Sequence, residues 1–178
     1  MEAIAATRHW LERAVIGLNL CPFARAVHLK QQIRWVESPA GDVDGLLADL
    51  VHELQFLAAA DPEEVETTLL IHPHALNDFL DYNDFLDLAD AVIEALGLTG
   101  ILQVASFHPG YRFDGTAADD VENLTNRSPH PMLHLLREES IARAVAAVPD
   151  PAAIYEHNIE TLRRLGGDGW HRLMSDAG

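Results

Sequence analysis

PHPMLHLLREESIARAVAAV, residues 129–148, decides how many strands this chain has. On a wheel at about 100° per residue, Leu133, Leu136, Ile141, Ala144, Val145 and Val148 centre on one side, which predicts an amphipathic helix. Ser128 before Pro129 supplies an N-cap followed by proline at the first helical position. Arg137 falls in the middle of the apolar side, with His130 and His134 next to it. A buried guanidinium needs a carboxylate or a bound anion, because an unpaired interior charge costs several kcal/mol. Asp114, Asp119 and Asp120 stand close by in sequence, so Arg137 is expected to pair with one of them or to hold a substrate anion.

With that stretch helical, three strands remain: QQIRWVES (31–38), TTLLIHP (67–73) and GILQVASFHP (100–109). Helical spacing surrounds them. Ile4, Leu11, Val15 and Leu18 mark a helix over 2–18, and Val43, Leu46, Leu47, Leu50, Leu54 and Leu57 mark another over 41–62. The segment 74–97 is expected to break near Asn83, which can cap a new helix carrying Phe85, Leu86, Ala89, Val92, Ile93 and Leu96. A last helix is expected over 151–165, after Pro149, Asp150 and Pro151. Strands alternating with long helices favour right-handed crossovers. The expected fold is therefore α/β: a small three-stranded, mostly parallel sheet with helices packed on it and two C-terminal helices, in one domain spanning 1–178. The alternative is an α+β, ferredoxin-like variant, since one strand of so thin a sheet can be reversed.

Twelve Lys and Arg against 28 Asp and Glu leave a net charge of −16, a field that repels phosphate backbones and anionic lipid headgroups. Nucleic acid and membrane partners are not expected. A single Cys excludes an internal disulfide, and no apolar run approaches transmembrane length, so a cytoplasmic protein is expected. At 178 residues a domain buries about 70% of its unfolded surface and needs no staple.

Each expected strand ends at a proline: Glu37-Ser38-Pro39, His72-Pro73 and His108-Pro109. If the strands are parallel, these residues share the carboxyl rim where open α/β sheets bind ligands. The plainer reading is that proline stops the strands and each His bonds to backbone. His108 gains weight from the segment that follows, which offers Tyr111, Asp114, Asp119, Asp120, Glu122, Asn123, Asn126 and Arg127. Asp114-Gly115 signals a turn, and Thr116 can cap a short helix with Asp119 and Asn123 on one face. Loops this rich in functional groups are either functional or solvated. Val121 and Leu124 need burial and pull their neighbours against the body of the protein.

Cys21, in GLNLCPFAR, is a candidate nucleophile paired with His108, against the commoner outcome of a buried, inert thiol. Phosphate-loop, dinucleotide-fingerprint, nucleophile-elbow and paired-cysteine motifs are missing from the chain.

GLNLCPFAR, SFHPGYRFDGT, DDVENLTNRSPHPMLHLLREESI and PDPAAIYEHNIETLRRLG together resemble a bacterial family of unknown function, domain-of-unknown-function family 1415, over nearly the whole chain. The resemblance implies that these stretches are family signatures and implies no activity.

The expected function is that of a small-molecule enzyme acting on an anionic metabolite, with its pocket at the carboxyl rim. In this reading His108 is the general acid/base, Asp119 or Asp120 orients it, and Arg127 and Arg137 clamp the anion, with Asn123, Asn126, Tyr111 and His72 as further substrate contacts. In a metal-assisted hydrolase version, a divalent ion sits on His108, His134 and Asp120. The alternatives are a non-catalytic module for an acidic metabolite or a protein partner, and a thiol enzyme built on Cys21.

Overall fold

The computed structural model describes residues 2–175. Along the chain, α1 (Glu2–Trp10) runs on into a π-helical turn, Leu11–Ile16, followed by α2 (Ala24–Leu29), β1 (Ile33–Glu37) and α3 (Val43–Ala59). Then come β2 (Thr67–Ile71), α4 (Phe79–Ala95), β3 (Leu102–Phe107), a 3-10 turn at Val121–Asn126, β4 (Met132–Arg137), α5 (Glu138–Ala146) and α6 (Ala152–Ser175).

The stretch 129–148 is thus a strand and a helix joined end to end. The sheet has four strands in the order β1-β2-β4-β3. β1 and β2 pair in parallel, and β4 lies antiparallel between β2 and β3. The three expected strands therefore all point the same way. The correction to the three-stranded sheet is a fourth strand inserted among them, not a reversal of one. Its physical reason lies in Met132–Arg137. Leu133 and Leu135 face the α3 and α4 core, whereas Met132 belongs to the core under α1. A strand covered on both faces is apolar at nearly every position, and periodicity alone cannot tell it from a buried helix. Ser128 caps nothing helical: its hydroxyl donates to the His130 carbonyl at 2.6 Å. The helix starts only at Glu138, whose N–H bonds to Ile101 O at 3.0 Å.

Two cores hold the sheet between helical layers. Leu46, Leu50, Leu54 and Leu57 of α3, with Tyr82, Phe85, Ala89 and Ile93 of α4, bury one face. Trp10, Leu11, Ala14 and Val15, with Leu162 and Trp170 of α6, bury the other. Each fully buried Leu contributes roughly 1.5–3 kcal/mol from leaving water. Asp42 caps α3 by accepting from Gly45 N at 2.8 Å. Asp78 caps α4 by accepting from Leu80 N at 2.8 Å. The break expected at Asn83 does not occur, because Tyr82 and Phe85 on either side of it are both buried and hold the helix continuous. A buried carboxylate, Glu53 on α3, is answered by a bidentate pair with Arg34 of β1, at 2.6 and 3.0 Å. Helix α6 runs past the expected 165 to Ser175, turning at Gly166, whose φ of 67° and ψ of 173° suit glycine alone.

Candidate functional site

Where β2 and β3 end, two imidazoles are drawn against Tyr82 of α4. The His108 and His72 ring centroids lie 4.9 and 5.8 Å from that of Tyr82. His108 Nδ1 accepts from Gly110 N at 2.9 Å, and Nε2 donates to Leu76 O at 2.9 Å. Leu76 holds a left-handed φ of 57°, and the carbonyl it presents is the one His108 takes. Burial lowers the His108 pKa, so the ring is a neutral brace with both nitrogens committed. His72 Nδ1 donates to Ala75 O at 2.9 Å, which leaves Nε2 a buried lone pair without a partner. Burial pushes its pKa down to about 4. Both histidines follow the plainer expectation of bonds to backbone.

The segment after β3 is held from inside. Asn123, fully buried, accepts on Oδ1 from Phe113 N at 2.9 Å and the Thr116 hydroxyl at 2.9 Å, and donates through Nδ2 to Ala117 O at 2.8 Å. Asn126 Nδ2 donates to Ser106 O at 3.0 Å, and its carbonyl accepts from His108 N at 3.2 Å. The Tyr111 ring packs on Phe79 and Phe113, with centroids 5.3 and 4.9 Å away. These residues shape the loop. The short helix expected around Asp119 and Asn123 forms later, as the 3-10 turn, with Asp120 at its N-cap position. Asp120 accepts from Ala117 N at 2.8 Å.

The loop so held forms one wall of a cleft of about 820 Å³ on the α1 face of the rim. Asp119, Asp120, Arg127 and Ser128 come from the loop, Glu2, His9 and Trp10 from α1, and Gly167, Trp170 and His171 from the end of α6. Arg163 of α6 pairs with Glu122 of the 3-10 turn, and Asn158 Nδ2 donates to Leu20 O at 2.8 Å, so α6 is fastened to both neighbours. Arg127 Nε donates to Tyr111 O at 3.0 Å and Nη2 to Ala118 O at 2.5 Å. Among the described residues no carboxylate lies within 4.0 Å of this guanidinium, although three acids, Glu2, Asp119 and Asp120, line the same cleft. Burial lowers its pKa from a value so high that the group stays charged. His9 Nε2 and Trp10 Nε1 are buried without hydrogen-bond partners.

The remaining expected site residues lie elsewhere. Arg137 ends β4 opposite Leu102, the first residue of β3, at the opposite end of the strands from His108. Its Nη2 donates to Ala60 O and Val65 O at 3.1 and 2.8 Å, so backbone carbonyls after α3 receive the cation in place of an acid or a substrate. His134 sits on the α1 face with Nε2 2.9 Å from Thr67 Oγ1, whereas His108 packs on α4 across the sheet and Asp120 lies in the loop. Among the described residues no group of three His, Cys, Asp or Glu side chains is placed to hold a metal ion. Cys21 is half-buried against the core on the α1 face, so the sheet separates it from His108. The sequence reading missed His9, Trp170 and His171. The usable signal was the row Glu2, Ala5, Ala6 and His9 beside the buried row Ala3, Thr7 and Trp10 on α1.

Among the described residues no helix is long and apolar enough to cross a membrane. No curated protein and no solved structure matches the chain. Residues 2–172 match the model of a family described as "Protein of unknown function (DUF1415)".

Proposed function

This chain belongs to the DUF1415 family, whose description carries no activity, and we propose from its own residues that it binds a small anionic metabolite in the cleft between α1, the 109–129 segment and α6. Arg127 is the anion anchor. The observation that carries this reading is its guanidinium, fixed by two backbone carbonyls, lining the cleft and left without a carboxylate in a protein of net charge −16. Had the protein needed only to neutralise this cation, Asp119 or Asp120 in the same cleft would serve. The backbone bonds preorganise the charge, so little side-chain entropy is lost when an anion arrives.

His9 and His171, lining the cleft from two helices, are the groups available for proton transfer. This extends the site to hydrolytic acid–base chemistry on the bound metabolite and moves the acid/base role from His108, whose nitrogens are committed, to imidazoles that are not. The reading uses no metal-borne step. A module that binds the same anion without turnover shares the first half of the proposal.

Calorimetric titration of the full chain with inorganic phosphate and with succinate tests it. At least one of the two is expected to bind one-to-one and to lose about tenfold or more in affinity in Arg127→Gln, while Arg137→Gln at the opposite end of the strands keeps it. Equal binding by Arg127→Gln, or no binding of either anion, overturns the anion site. Esterase and phosphatase assays on chromogenic substrates, repeated with His171→Ala, decide between enzyme and binding module.

A further inference from the structure

A second cavity, of about 410 Å³, lies on the α1 face of the sheet and shares only Trp10 with the cleft. Its floor includes Leu69, Phe107 and Leu136, and its outer wall is the apolar side of α5, Ile141 and Val145. Helix α5 is amphipathic yet contains no fully buried residue, and Val145 is 46% exposed. An apolar helix face is stable when something covers it, and the volume is that of a small-molecule site.

One polar group stands in that apolar lining with a free valence. The Thr67 hydroxyl donates to Leu135 O at 2.5 Å, so it can only accept from His134 Nε2, at 2.9 Å. The proton is therefore on Nε2, and Nδ1 is a lone pair. No hydrogen bond to Nδ1 forms among the described residues, and His134 is half-buried and lines the cavity. Burial pushes the ring's pKa down to about 4, so at neutral pH it is an acceptor and not a cation. Glu66 also lines the cavity and, with the net charge of −16, repels a carboxylate or phosphate.

We propose that this cavity binds one uncharged, mainly hydrocarbon molecule ending in a hydroxyl, which donates to His134 Nδ1 while α5 covers the hydrocarbon. The site is independent of the anion cleft, and its ligand is of the opposite chemical class.

Calorimetric titration of the full chain with 1-octanol, octyl methyl ether and octanoate at neutral pH tests the proposal. Octanol is expected to bind one-to-one. The ether, which lacks the donor, is expected to be weaker by about fivefold, the equivalent of one net hydrogen bond, and octanoate by about tenfold or more. Ala144→Trp fills the cavity from α5, a helix with no buried residue to disturb, and is expected to weaken octanol by about tenfold or more. His134→Phe keeps the lining apolar and is expected to bring octanol down to the level of the ether. Arg127→Gln is expected to leave the octanol titration unchanged, which separates this site from the cleft. Octanoate binding as tightly as octanol, undiminished octanol binding in Ala144→Trp, or no saturable octanol binding overturns the proposal.

Discussion

The hydroxyl of Tyr82, on α4, donates to the carbonyl of Met132 at 2.8 Å, at the point where β4 enters the sheet. The same oxygen accepts from Phe107 N at 3.0 Å, so one side chain joins the ends of the β3–β4 ladder to the helix above. Burial raises the Tyr82 pKa, and the phenol stays protonated as a donor.

Tyr82→Phe is accordingly expected to cost about 1–3 kcal/mol, because it leaves a buried N–H and a carbonyl without their partner and keeps the ring's packing. Urea unfolding checks this. A loss below about 0.5 kcal/mol means that the two backbone groups find other partners.

Asn123 carries three bonds that span Phe113 to Ala117, all inside the loop that presents Arg127. Asn123→Ala is expected to lose about 2–4 kcal/mol, since each orphaned buried group costs on the order of 1–3 kcal/mol. Limited proteolysis is expected to cut between residues 111 and 120 in the variant first. An unchanged digestion pattern shows that the loop is held from elsewhere.

Two adjacent glycines in α6 are expected to respond oppositely. Gly166 has φ 67° and ψ 173°, so Gly166→Ala meets backbone strain of about 1–3 kcal/mol. Gly167 has open space where a Cβ would project and no left-handed φ, so Gly167→Ala is expected to be neutral or stabilising by up to about 1 kcal/mol. Thermal unfolding of the pair decides. Because Trp170 and His171 follow this turn, only Gly166→Ala is expected to weaken anion binding in the cleft.

His72 and His134 both have folded pKa values depressed to about 4 by burial, against about 6.5 for an unperturbed imidazole. Between those values the unfolded chain binds more protons than the folded one, so stability falls as pH drops from about 6.5 towards 4. Each histidine contributes a slope of roughly 1.4 kcal/mol per pH unit in the middle of that window. Unfolding free energies at pH 7 and pH 5 are expected to differ less in His134→Phe than in the natural chain, by about 1–2 kcal/mol. Equal differences in the two proteins exclude His134 as a contributor.

The sequence by itself determined three of the four strands and the residues at their ends, because Pro39, Pro73 and Pro109 punctuate β-branched and aromatic runs whose apolar patterns are local. Their common direction, expected but with a reversed strand as the alternative, was decided by the pairing in the sheet. It also placed Arg127, Asp119 and Asp120 beside the rim. Which neighbouring groups complete the cleft was legible only after folding: His9 and His171 stand more than a hundred residues apart and meet because α1 and α6 cover the same face of the sheet. Met132–Arg137 marks the same limit within a single stretch. Six residues of which four are apolar, Met132, Leu133, Leu135 and Leu136, with no strict alternation, satisfy a helix or a strand equally well in isolation. What makes them a strand is the pair of open edges of β2 and β3, whose buried N–H and carbonyl groups must find partners and find them only in a chain laid between. That choice carried Arg137 to the opposite end of the strands from His108 and turned His134 into a cavity wall.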